Sequence, residues 1–132
     1  MRVSFTIHGE PASKANRRRI VPSPDGHYRT IKSPEALAFE SSALLQVPAV
    51  ARVMYAGPVR VTLHLYYRTE RPDLDESIVL DVLQARYSAG GRRAGHVMRR
   101  GVYLNDRQVR EKHVYHGVDP LAPRAEITVE SL

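Results

Sequence analysis

Asp73, Asp75 and Asp106 are the residues of this chain best suited to chemistry. Asp73 and Asp75 stand in Arg71-Pro-Asp-Leu-Asp75, and Asp106 in Tyr103-Leu-Asn-Asp-Arg-Gln-Val109. In extended backbone, residues two apart point to the same side. Pro72 favours extension of the residue before it. Both carboxylates of the first motif can therefore face one point, while Asp106 needs the fold to bring it there. Oxygen-only ligands suit Mg²⁺ or Mn²⁺, and Mg²⁺ takes one or two carboxylates with waters and substrate phosphate. Such an ion neutralises phosphate and lowers the pKa of a bound water. The same positions also have plainer uses. Asp75 and Glu76 lie where acids cap a helix start, and Asp106 follows Asn105 as a turn residue would.

The elements around these acids are legible from periodicity. Val59, Val61, Leu63, Leu65 and Tyr67 alternate with polar residues and predict a half-buried strand leading to the first motif. Leu74, Ile78, Val82 and Ala85 then recur at helical spacing, which predicts a helix from about Asp75 to Tyr87. Ser33-Pro34 starts another helix that runs to about Gln46, with Ser as cap and Pro at the first position. Val3, Phe5 and Ile7 predict an opening strand. Ile20-Val21 and His27 to Ile31 predict a hairpin. Val102 to Leu104, Gln108 to Tyr115 and Ala125 to Val129 predict three further strands. Together they predict an α/β (α+β) fold: one compact domain over 1–132, with a mixed sheet and two main helices packed on it. A basic, glycine-rich flexible loop is expected at about 88–101.

The 132 residues carry 20 Lys and Arg against 14 Asp and Glu, a formal net charge of +6. A surface of that sign attracts polyanions, nucleic acid above all. The absence of Cys excludes disulfides and thiolate metal sites. No apolar run is long enough to span a bilayer, and the first residues read as a strand rather than a leader. A cytoplasmic, nucleoid-associated protein without membrane contact is expected. Lys14, Arg17, Arg18, Arg19, Arg92 and Arg93 are candidates for phosphate contacts, with Arg71 and Arg107 beside the acids. Contacts of this kind give affinity without sequence information. The six His residues show no metal-ligand spacing, and Tyr66 and Tyr67 fit sheet packing better than base contacts.

Taken together, the motifs resemble the RusA family of phage and bacterial Holliday-junction resolvases. The resemblance rests on Arg71-Pro-Asp-Leu-Asp75 and Leu104-Asn-Asp-Arg-Gln-Val109. Phe5-Thr-Ile-His-Gly-Glu-Pro11, Gly57-Pro-Val-Arg-Val61 and Pro123-Arg-Ala-Glu-Ile127 support it. It covers most of the chain. It implies a small homodimer that cuts four-way DNA junctions with Mg²⁺, using Asp73, Asp75 and Asp106 as metal ligands. A two-fold protein supplies two nicks to a two-fold substrate. The core of that dimer is expected to include apolar residues of the Val59–Tyr67 strand or of the following helix.

The chain departs from the family pattern in places. Glu76 stands where Asn is usual, and Asn105 replaces the first Asp of an Asp-Asp pair. The family's catalytic Lys falls at Val79, and the helix acid at Asp81 arrives early. Lys14 or a loop arginine is the expected substitute cation, and Val79→Lys is expected to speed cleavage if the helix tolerates it. Val79 and Asn105 give footing to an alternative: a branched-DNA-binding protein of this fold that cleaves weakly or not at all. A basic RNA-binding structural protein would explain the charge but not the placement of the acids.

Overall fold

The computed structural model describes residues 1–13, 18–89 and 95–132. In chain order its elements are β1 (Arg2–His8), β2 (Arg18–Pro22), β3 (Tyr28–Lys32), α1 (Pro34–Gln46), β4 (Val59–Tyr67), α2 (Ser77–Leu83), β5 (Arg86–Tyr87), β6 (Val97–Arg99), β7 (Val109–Val118) and β8 (Arg124–Ser131). Four strands form a mixed sheet in the order β1-β8-β4-β7. Strand β8 runs antiparallel to β1 and β4, whereas β4 and β7 are parallel. The architecture is α+β, with two helices on one face of the sheet.

Strand β4 shows how the sequence sets this arrangement. Val59, Val61, Leu63, Leu65 and Tyr67 are each at most 1% exposed and join Ile7, Ile127 and Val129 beneath the helices. The alternate residues face outward and build a polar surface. Arg60 pairs with Glu111 and Glu130, Arg124 pairs with Asp119 and Glu126, and Ser4 bonds Thr128. Phe39 and Ala43 of α1, and Ile78, Val79 and Val82 of α2, complete the core. The Ser33 side chain accepts from the Ala36 backbone N–H, as a helix cap should.

These burials bear on the expected dimer core. Val59, Val61, Leu63, Leu65 and Tyr67 of β4 and the apolar residues of α2 are at most 9% exposed within one copy. They are already committed to the monomer's interior, so a second copy could reach them only by opening it. No helix of the described residues is long and apolar enough to cross a membrane.

Helix α2 is shorter than its periodicity predicts. It ends at Leu83, and Gln84 is already extended. Residues 101–103 intervene by capturing the backbone beyond the last turn. Val102 N–H donates to Leu83 C=O at 2.7 Å and Ala85 N–H to Tyr103 C=O at 2.9 Å. The Tyr103 hydroxyl donates to Leu80 C=O at 2.7 Å. Tertiary pairing thus overrides local propensity. Residues 102–104 consequently make single bridges through Tyr103 to Tyr55 and Gln84, rather than the strand expected of them. The chain then forms the β5–β6 ladder, so the outer parts of the predicted 88–101 loop belong to an ordered hairpin. Residues 90–94 lie outside the described residues.

Gly101 makes this docking possible. A Cβ there would lie 2.3 Å from Ala85 N and 2.5 Å from the Gln84 carbonyl carbon, both backbone atoms that cannot swing aside. Gly101→Ala is therefore expected to destabilise the fold by at least about 2 kcal/mol. Urea unfolding would show this as a lower midpoint at unchanged slope. An unchanged midpoint would mean that the 83–85 and 101–103 segments can part freely.

Candidate acidic site

Parallel strands require a crossover, and here it runs from Arg68 to Gln108, between β4 and β7. All three candidate acids lie on it. Asp73 and Asp75 follow the carboxyl end of β4, and Asp106 precedes the amino end of β7.

Asp73 is held by Arg71, whose Nε donates to Oδ1 at 3.1 Å. The same guanidinium donates to the Ser13 hydroxyl at 2.9 Å and lies 4.0 Å from Glu10. Glu10 in turn accepts from the Arg68 backbone N–H at 2.7 Å. The turn after β4 is thus tied to the end of β1. An open groove of about 770 Å³ adjoins it, with Arg71, Leu74 and His116 among its walls.

Asp75 starts α2. Its Oδ1 accepts from Ser77 N–H at 3.1 Å and from the Ser77 hydroxyl at 2.8 Å. Tyr67, from the core end of β4, donates its hydroxyl to the Asp75 carbonyl at 3.4 Å. Burial pushes the Tyr67 phenol up to about 12; the hydrogen bond to Asp75 opposes the rise, and the charges of Asp75, Glu10 and Glu76 add to it. Asp75 therefore has the capping role that its position allowed.

Asp106 begins a 3-10 turn, Asp106–Gln108, that is closed by a capping box. Asn105 accepts from Arg107 N–H, and Gln108 accepts from Asn105 N–H at 2.8 Å. The Asp106 backbone N–H donates to Gln84 Oε1 at 3.1 Å. Asn105 is therefore the residue that builds this turn, which gives its presence a structural reason. Asp106 lines a cleft of about 170 Å³ with Leu80, Val109, Arg110 and Lys112. Tyr103 titrates above the ordinary phenol range, because of burial first and then the charges of Asp106 and Asp81.

The two tyrosines report two acid groups. The charges of Asp75, Glu10 and Glu76 act on Tyr67, and those of Asp106 and Asp81 on Tyr103. Asp75 is anchored at the start of α2, and the Asp106 backbone is tied to Gln84 just past its end. Among the described residues no three His, Asp or Glu side chains converge closely enough to hold a metal ion. The donor chemistry of Asp73 and Asp75 nevertheless suits Mg²⁺, whose other ligands come from water and phosphate.

One charged residue that the sequence did not single out joins these groups. Lys112, on the helix-side face of β7, donates from Nζ to Glu76 at 2.8 Å. It thereby places a cation between the start of α2 and the Asp106 cleft. No local pattern reveals it, because its position depends on the parallel pairing of Lys112 with Val61. The bond from Lys112 holds the Glu76 carboxyl below its usual range, against the opposing effect of burial. A depressed carboxyl pKa stabilises the fold above the unfolded value, and that contribution is lost as pH falls through the folded value. Lys112→Ala is therefore expected to lower stability by about 0.5 kcal/mol at neutral pH, since the pair is partly exposed. Parent and variant should converge in acid. Thermal melts at both pH values check this, and a gap that persists in acid would mean that Lys112 acts by packing.

The proposed phosphate contacts divide. Arg18 and Arg19 lie exposed on β2. Arg71 is engaged with Asp73 and Ser13 as described. Arg107 is exposed on the Asp106 turn and donates from Nε to Asn105. Lys14, Arg17, Arg92 and Arg93 lie outside the described residues.

Compared with protein-family models and with curated proteins, the chain matches none.

Proposed function

We propose that this chain is a Mg²⁺-dependent, structure-selective endodeoxyribonuclease that resolves four-way DNA junctions by phosphodiester hydrolysis, acting as a homodimer. The observation that carries the reading is the placement of the acids. Asp73 and Asp75 occupy the turn after the central strand, and Asp106 occupies a capped turn docked against the helix that Asp75 starts. The likeness of these two segments to the acidic motifs of RusA resolvases gives the substrate class, and the net charge of +6 suits it. Asp73 and Asp75 would hold the ion, with Asp106 as the third acid of the proposed set. Mg²⁺ or Mn²⁺, when bound, would supply charge neutralisation at phosphate and a water of lowered pKa. Of this chain's own groups, Arg71 orients Asp73, Ser77 orients Asp75, and Lys112 brings a cation to the same flank of α2.

A second reading has its own support. Asp73 is paired with Arg71, Asp75 caps α2, and no three acids converge among the described residues. A protein built this way would bind branched DNA and cut it weakly or not at all. Incubation with a labelled four-way junction in Mg²⁺ separates the two: nicks near the crossover support the nuclease, and a retained but uncut junction supports the binder.

A further inference from the structure

A second groove, of about 730 Å³, lies between α1, the end of α2 and the two hairpins β2–β3 and β5–β6. Arg18, Lys32, Arg86 and Arg99 contribute four cations to its lining, against Glu40 and Asp81. Lys32 is bonded to Glu40. No ion pair satisfies Arg18, Arg86 or Arg99 among the described residues, and the buried Nε of Arg99 has no hydrogen-bond partner. A second guanidinium, that of Arg52, bonds the carbonyls of Arg100 and Leu44 nearby. Burial, and then the charge of Arg99, lower the Arg52 pKa. A cluster of cations with an unmet buried donor suits an anionic ligand.

We propose that this groove binds phosphate oxyanions, held by Arg18, Arg86 and Arg99, with Tyr87 at the wall to lie against a base. Tyr87 is 40% exposed, which leaves its ring open to stacking. Gln84 belongs to the same lining and also holds the Asp106 turn, so a strand seated here lies next to that turn. The inference rests on the DNA-binding part of the reading above and deepens it by naming where the phosphates sit. It does not depend on cleavage.

The test uses the full chain, with inorganic phosphate, a fluorescent short oligothymidine and a four-way junction as probes. Arg99→Gln removes the orphaned donor, and Arg86→Gln removes an exposed cation whose loss leaves the core untouched. Each variant is expected to weaken oligothymidine binding by about tenfold and to reduce the salt slope by about one phosphate contact. Phosphate is expected to raise the parent's melting temperature and to raise that of Arg99→Gln less. If Arg99→Gln fails to fold, Arg86→Gln alone decides. Parent-like affinity and salt slope in the folded variants overturn the site, even if the parent binds and cuts junctions. A parent that ignores both DNAs, yet is stabilised by phosphate through Arg99, overturns the DNA reading and leaves a site for free phosphate.

Discussion

Asp75→Asn is expected to lower junction cleavage by about 10²-fold or more while junction binding persists or tightens. The substitution separates two roles of one side chain. Asn is as good a helix cap as Asp, so the bonds from Ser77 N–H and its hydroxyl to Oδ1 can be kept. What is lost is the negative charge, and with it the affinity for a hard cation. Loss of that charge also eases the approach of phosphate. Cleavage should therefore collapse while the melting temperature stays near the parent's. A variant that cuts at the parental rate would leave Asp75 as a cap and nothing more.

The second large effect concerns Val79. The family likeness puts a lysine at this position, which makes Val79→Lys look like a gain of function. The structure reverses that expectation: Val79 is fully buried, within a helix of only seven residues whose apolar side chains pack on the sheet. An ammonium at that position would have to leave water and sit among the apolar side chains of the core. The expected result is a loss of about 3–5 kcal/mol, the range found when a buried charge is left uncompensated. Denaturant titration should show a partly or wholly unfolded variant. A folded Val79→Lys protein that cuts faster than the parent would mean that α2 can rotate this position outward. Lys112, on a different element, already brings a cation to that flank of α2.

The four strands of the main sheet, the β2–β3 hairpin and α1 were readable because each carries its own punctuation. Strand β4 alternates without interruption, Ser33-Pro34 marks a helix start, and the β2–β3 hairpin brackets its turn with Pro and Gly. The motif acids were readable as residue types at the ends of elements. Three features were not readable, all for one reason: they depend on partners remote in sequence. Helix α2 stops early because residues 101–103 take its last carbonyls. Lys112 meets Glu76 only because β4 and β7 are parallel. Arg99 meets the α1 residues Glu40 and Leu44 only in a groove that the fold assembles from distant segments. Periodicity reports a residue's own element and says nothing of such partners.

The central claim is metal-dependent cutting at a DNA branch, and one measurement addresses it directly. The parent protein is incubated in single turnover with a four-way junction labelled on each strand, and with a linear duplex of the same sequence. Each is run with Mg²⁺ and with EDTA, then resolved on a denaturing gel. The account predicts paired nicks in opposing strands near the crossover, in Mg²⁺ only and on the junction only. Intact strands in Mg²⁺ and in Mn²⁺, at protein concentrations that shift the whole junction in a native gel, would contradict it and leave a branched-DNA-binding protein.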